Sequence, residues 1–397
     1  MSGPTPRHLK RYAGRCLRLA RYFKRPGDGR VKEQIRAEAL LWALIVGEII
    51  RQGAFHAIEA LVRSRARRAL AVSRAFGDDS LAYFTERLDP HPTRQALIQA
   101  LHQAKRNKAF ENSRFIGLAL DGTGAARSCK TRCRWCRPIR DSKDRVVGYN
   151  HRFSMISVVG TGLSLPFDVE PYGPGDSEQA ASARLLKRAV QQLGPRFADY
   201  VAADGLYGQA PFLHEVVDLG LHAVVRLKDN LPELMAAATA RFARRGPSRT
   251  FEHGMDRVEV WDAEDFDPWE SLNWTTVRVL RYRQHKPDGT VVEAYWLTNY
   301  PSAQVGSRAL FLMAKSRWEI ENQGFNEGKN HYGMEKIRHH HDNSLLVGWL
   351  LSCLAMTIER LYRLRYLHRG SHRVYTAIEL VRCLWLSLGR PPAADTS

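Results

Sequence analysis

The stretch FIGLALDGTG (115–124) decides how this chain reads. A short apolar run from Phe115 to Leu120, closed by Asp121 and Gly122, predicts a buried strand with a turn at its end. A carboxylate where such a strand emerges faces the crevice in which open α/β sheets place their sites. The pattern recurs in DYVAADGLYG (199–208), which sets Asp204 and Gly205 after a second apolar run. Taken singly, either Asp-Gly pair reads equally well as a plain turn.

Working outward, HRFSMISVVGTG (151–162) and LSLPFDVEPY (163–172) read as two strands joined at Gly160–Gly162. An amphipathic helix starts at Ser177, a short helix covers 211–219, and HAVVRLK (222–228) reads as another strand. Three sequential strands followed by helix–strand alternation predict an α/β fold, a mixed sheet with flanking helices. Residues 249–300 are rich in β-branched and aromatic side chains, and Pro287-Asp288-Gly289 marks a hairpin turn, so a β-rich insertion is expected there. Helical periodicity returns at Ser307 and runs to about Lys329. The C-terminal third also reads as helical, with a loose tail after Gly389.

Residues 31–110 read as helical too. Val31 to Val62 predicts one long helix, with Gly47 and Gly53 as its breaking points. Asp79-Ser80 and Thr93 are expected to cap the next two helices.

KSRWEIENQGFNEGKNHYG (315–333) adds a third acid. On a helix, Arg317 and Glu321 lie four apart on one face, which is also the spacing of an ordinary surface ion pair. Carboxylate oxygens suit hard divalent cations such as Mg²⁺. Two such ions about 4 Å apart can stabilise both the attacking and the leaving oxygen of a phosphodiester.

DGTG at 121, ADGLYG at 203 and RWEIENQGFNEGK at 317 together resemble the DDE transposases of bacterial insertion sequences. The likeness is to the branch with a β-rich insertion before the last acid and a Tyr-Arg-Glu-Lys signature on the final helix. It covers residues 115–330. It implies a ribonuclease H-like core, helical N- and C-terminal regions, and DNA cleavage and strand transfer at Asp121, Asp204 and Glu321 with two Mg²⁺ or Mn²⁺ ions. It also implies transposon-end and target DNA as partners, a homodimer on that DNA, and Arg317 and Lys329 as DNA contacts. Two departures stand out. Ala314 occupies the place of the signature tyrosine, and Lys329 follows Glu321 one residue later than the signature has it. On a regular helix Lys329 would stand about 80° around from Glu321 unless Gly324 or Gly328 bends the chain.

Composition agrees with a polyanionic partner. The 397 residues carry 60 Lys+Arg against 41 Asp+Glu, a net charge of +19. Such a chain attracts nucleic acid first and an anionic membrane surface second, although a solvated basic surface reads the same way. Basic residues cluster over 1–30, at Arg63/Arg65/Arg67/Arg68, over 127–140 and at Arg360/Arg363/Arg365. The longest apolar run, Leu345 to Ile358, falls short of a bilayer, and no signal-peptide core opens the chain. Six cysteines are too few and too unevenly placed for a disulfide scaffold. A cytoplasmic, nucleoid-associated protein with no membrane partner is expected.

CKTRCRWCRP (129–138) holds Cys133 and Cys136 at the spacing of a metal knuckle, with Cys129 and His151 as further candidate zinc ligands. The other reading is reduced thiols on a basic loop, whose Arg132, Arg134 and Arg137 suit a DNA backbone with or without metal. His339-His340-His341-Asp342 reads as a polar connector ahead of metal or phosphate binding.

The expected organisation is a basic helical DNA-binding region (1–112), a catalytic core (113–230 and 301–335), a β-rich insertion (231–300) and a helical C-terminal region (336–397). Two rival functions remain: a non-catalytic DNA-binding regulator derived from a transposase, and a nuclease that cuts without rejoining.

Overall fold

The computed structural model describes residues 4–228, 230–367 and 376–389; the tail expected after Gly389 lies outside them. Six helices come first: α1 (Pro6–Arg15), α2 (Ala20–Lys24), α3 (Ala37–Ile49), α4 (Phe55–Arg63), α5 (Asp78–Arg87) and α6 (Pro90–Arg106). The stretch 31–62 holds two helices, and the break at residues 50–54 contains Gly53, one of the two expected breaking points, together with Arg51 at a φ of 64°. Gly47 does not break its helix. It lets α4 approach closely, since a Cβ there would meet Ile58 at 2.8 Å. α6 starts ahead of Thr93, because the Asp89 side chain accepts the His91 N–H at 2.9 Å and proline is tolerated in a first turn.

The sheet is built from β1 (Gly117–Ser128), β2 (Arg137–Arg140), β3 (Val146–Val159), β4 (Leu165–Tyr172), β5 (Tyr200–Ala203), β6 (His222–Leu227), β7 (Arg249–His253), β8 (Asp256–Phe266), β9 (Val277–His285) and β10 (Val291–Thr298). Helices α7 (Glu178–Leu193), α8 (Ala210–Asp218) and α9 (Pro232–Ala243) interrupt the later strands. β1 pairs antiparallel with β3, β3 antiparallel with β4, and β5 and β6 run parallel to β1. The resulting order β4–β3–β1–β5–β6 is the expected ribonuclease H-like mixed sheet. The strands at 249–300 form no separate sheet. β10 pairs antiparallel with β6, and β9, β8 and β7 extend the same ten-stranded sheet.

One local expectation fails. Asp121-Gly122 is not a turn: β1 continues to Ser128, with Asp121 opposite Met155 in a long ladder against β3. The parallel neighbour β5 does end, at Ala203 opposite Leu120.

β5 is buried on both faces, as a central parallel strand must be. Tyr200 and Ala202 share an apolar cluster with Leu310 and Phe311 of α10 (Ser307–Glu319), whereas Val201 and Ala203 share theirs with Leu185 and Leu186 of α7. After α10 the chain widens into a π-helical turn (Ile320–Asn326), then continues as α11 (Glu327–Tyr332), α12 (Asp342–Tyr362) and α13 (Ala377–Ser387). α12 packs on β4 and on α3, α5 and α6, so the N- and C-terminal helices share one core with the sheet. Among the described residues, the helical stretch 342–366 is long and apolar enough to cross a bilayer, yet 89% of its most apolar window is buried within the fold.

Candidate active site

Strand register brings the first two acids together. Leu120 pairs with Ala203 across the parallel β1–β5 ladder, so Asp121 and Asp204 each stand one residue further along, on neighbouring strands about 4.8 Å apart. Gly122 serves a close approach. A Cβ at that position would lie 2.1 Å from Cδ of Glu178, at the start of α7. Glu178 is held there by hydroxyl donors, Tyr172 at 3.1 Å and Tyr207 at 3.0 Å.

The third acid arrives from α10. Arg317 is buried, and its Nη1 lies 2.9 Å from Glu321 Oε1 and 3.5 Å from Asp121 Oδ2. Glu321 sits in the π-helical turn. Such a turn takes up about one more residue than an α turn, which accommodates the additional residue between Glu321 and Lys329, and Gly324, one of the two expected bending points, lies within it. The widened turn is tied to the β3–β4 connection. Gly160 N–H donates to Glu319 and Ser164 N–H to Gln323, each at 3.1 Å. Arg360 of α12 donates to the carbonyls of Ser164 and Gln323, and to Glu327 at 2.8 Å.

These contacts shape the electrostatics. Burial pushes the Asp121 carboxyl up to a pKa of about 7; Arg317 opposes that shift, while Glu178 and Glu321 add to it. Asp204 goes the other way. Burial disfavours its charge, but Lys228 Nζ at 2.9 Å, the Gly205 N–H and the Arg317 field outweigh burial and hold it below the ordinary carboxylate range. A cation-compensated group of carboxylates at a sheet crevice is a set of hard oxygen donors, suited to Mg²⁺ or Mn²⁺.

The model of the transposase DDE domain matches residues 113–358. This chain belongs to the DDE transposase domain family. Members of that family generally use divalent metal ions, and the donor set described above fits them. Among curated proteins none matches. A solved structure, the piggyBac transposase synaptic complex with hairpin DNA, is similar at a TM-score of 0.47 and 12% identity, over 97% of this chain and 80% of that one.

Lys329 lines a cavity of about 890 Å³ with Arg51, Arg127, Lys336 and Arg338, beside Asp78, Asp79 and Glu335. Arg132 and Arg134 are exposed, and the Arg134 guanidinium pairs with Asp342 at 3.2 Å. Arg137 is half-buried, and its Nη1 donates to the Gly173 carbonyl at 2.9 Å and to that of Asp176 at 3.1 Å. Arg317, expected to face DNA, points inward to the carboxylates and stacks over Trp318. Arg360 likewise leaves the surface basic cluster, being buried against the π-helical turn.

Among the described residues, Cys133, Cys136, His151 and His340 bring their ligand atoms within 4.8 Å of one another. Cys129, expected as a ligand, is exposed and stands outside this group. β1 ends at Ser128, and the chain turns outward there before returning at Cys133. His340 takes the fourth place instead, although the histidine run reads in sequence as a connector. The sequence also gave no reason to single out Glu178 or Lys228. Only the strand register reveals that Lys228, just past β6, reaches the end of β5.

Proposed function

We propose that this protein is a transposase that cuts and rejoins DNA, with Asp121, Asp204 and Glu321 as its catalytic carboxylates. The observation that carries this reading is the Arg317 guanidinium, set between Asp121 and Glu321 while Asp204 ends the adjacent strand. Carboxylates gathered at one point repel one another unless a cation stands among them.

Two divalent ions bound there would stabilise the attacking and leaving oxygens of an in-line displacement at phosphorus. Asp121, Asp204 and Glu321 would be the residues to hold them. Lys228 and Arg317 keep the cluster charge-balanced beforehand, and their positive charge then faces the phosphate. In cleavage a water oxygen bonds to phosphorus and the 3′ oxygen departs. In strand transfer the freed 3′-hydroxyl bonds to a target phosphorus and displaces its own 3′ oxygen. Each step forms one P–O bond and breaks one. Exposed Arg132 and Arg134, and the basic groove that includes Lys329, supply backbone contacts that position DNA without reading sequence. On DNA the working unit would be a homodimer.

The test is incubation of the full chain with labelled duplex carrying the ends of its own element, plus a target plasmid, with Mg²⁺ or Mn²⁺. Metal-dependent nicking followed by joined product is expected. Binding without nicking would leave the regulator reading, and nicking without joining would leave the nuclease.

A further inference from the structure

The geometry points to a structural zinc site formed by Cys133, Cys136, His151 and His340, which staples the arginine-rich loop after β1 to the segment behind the Glu321 helix. The proposal is independent of the catalytic reading, because none of the four residues belongs to the acid cluster.

The four donor atoms lie within 4.8 Å of one another, close enough to become the vertices of a tetrahedron around one ion. Cys133 Sγ lies 3.5 Å from Cys136 Sγ and 3.1 Å from His151 Nε2; Cys136 Sγ lies 3.4 Å from His151 Nε2 and 3.3 Å from His340 Nε2. With Zn–S of about 2.3 Å and Zn–N of about 2.0–2.1 Å, tetrahedral S–S and S–N edges come to roughly 3.5–3.8 Å, so these four pairs need only slight expansion to accept an ion. Two thiolates and two imidazoles form a closed structural set for zinc, whereas Mg²⁺ and Ca²⁺ require oxygen.

Both histidines are oriented for the task. His151 Nδ1 bonds the Ala126 carbonyl at 2.9 Å, which makes Nδ1 the protonated nitrogen and leaves the Nε2 lone pair aimed at the sulfurs. His340 repeats the arrangement, with Nδ1 3.4 Å from Ser128 Oγ. Partners of this kind fix the tautomer of metal-bound imidazoles. Reduced thiols packing as small hydrophobes would account for the buried cysteines, but not for two imidazoles turned the same way upon them.

The ligands span 204 positions between Cys136 and His340. They join the 129–140 loop, β3 and the connector ahead of α12. Contacts around the group follow the same seam. Arg134 N–H donates to Asp342 at 3.1 Å, and Trp135 lies 6.3 Å from Trp349 of α12. An ion there would fix exposed Arg132 and Arg134 relative to the acids.

The full-length protein, purified without chelator, should contain about one zinc per chain by elemental analysis. Cys133→Ser and His340→Ala should each lose it, and Cys129→Ser should keep it. Because a ligand variant can misfold, wild-type protein is also reconstituted with Co²⁺. The visible spectrum of tetrahedral thiolate-ligated cobalt is expected, and zinc should displace it. Ser128→Ala keeps all four ligands and should weaken zinc affinity by about tenfold. Zinc-free protein with both thiols freely alkylated, or with Cys133 and Cys136 joined as a disulfide, would overturn the proposal. So would an octahedral cobalt spectrum, or zinc retained in full by His340→Ala.

Discussion

The guanidinium of Arg317 stands 3.5 Å from the carboxylate of Asp121, linking the helix that carries Glu321 to the central strand of the sheet. Arg317 is buried, and its second partner is Glu321 at 2.9 Å. It occupies the position in which a cation is electrostatically required. Replacement by alanine should destabilise the metal-free protein by about 2 kcal/mol, less than for a fully buried pair because Glu321 is partly exposed and Asp121 can take up a proton. Mn²⁺ should recover more stability in Arg317→Ala than in wild type, since the ion supplies the missing charge. Urea unfolding with and without Mn²⁺ measures both. Equal metal effects in the two proteins would mean that Arg317 does not serve the cation site.

The position of Asp121 also sets a pH dependence. Burial raises its pKa to about 7, so below that pH a cation must displace a proton to use it, and above that pH the carboxylate is ready. Mn²⁺ affinity should fall by up to about tenfold per pH unit below about 7 and level off above it. Binding near neutrality should release protons, visible by calorimetry in buffers of different ionisation heat. Asp121→Asn should remove this dependence along with much of the affinity. Identical affinities at about pH 6 and about pH 8 would contradict the assignment.

Gly122 has a partner to lose. Gly122→Ala would drive a methyl group into the Glu178 carboxyl group, which two tyrosine hydroxyls hold in place. A loss of about 1–3 kcal/mol is expected, with reduced cleavage as Asp121 shifts. Glu178→Ala made in the same chain should relieve the clash, so the double variant should be more stable than the two single losses predict, by about 1 kcal/mol or more. Strict additivity in denaturant titrations would show that the contact does not constrain Gly122.

Much of this architecture is legible in the sequence because the relevant signals are local. Apolar runs closed by Asp-Gly mark both strands, and the order of strands and helices suffices for a ribonuclease H-like sheet. What escapes is non-local. The Asp121-Gly122 pair imitates a turn, while its glycine answers a glutamate on α7. In the interruption between α3 and α4, Gly53 is legible as a breaking point, whereas Arg51, at a φ of 64°, is a residue type that does not announce a left-handed conformation. Three histidines in a row are equivalent until the fold turns His340 alone toward the cysteines. Arg317 and Arg360 count as surface charge in composition but are buried, one against carboxylates and the other against backbone carbonyls. Helical periodicity assumes an α repeat, so the π-helical turn at Ile320–Asn326 appears in sequence only as a displaced Lys329.

The central claim is that Glu321 acts with Asp121 and Asp204 on a scissile phosphate, and one measurement addresses it most directly. Strand cleavage of a labelled element end is compared in wild type and Glu321→Gln, with DNA binding measured on the same samples. Glutamine keeps the shape and a carbonyl oxygen for Arg317 but removes the charge that holds a divalent ion. Binding should change little, because arginine and lysine supply the backbone contacts. Cleavage should fall by about a thousandfold, since several kcal/mol of transition-state stabilisation depend on the bound metal and each 1.36 kcal/mol is about tenfold in rate. A Glu321→Gln protein that binds the end and cuts it at the wild-type rate would contradict the account.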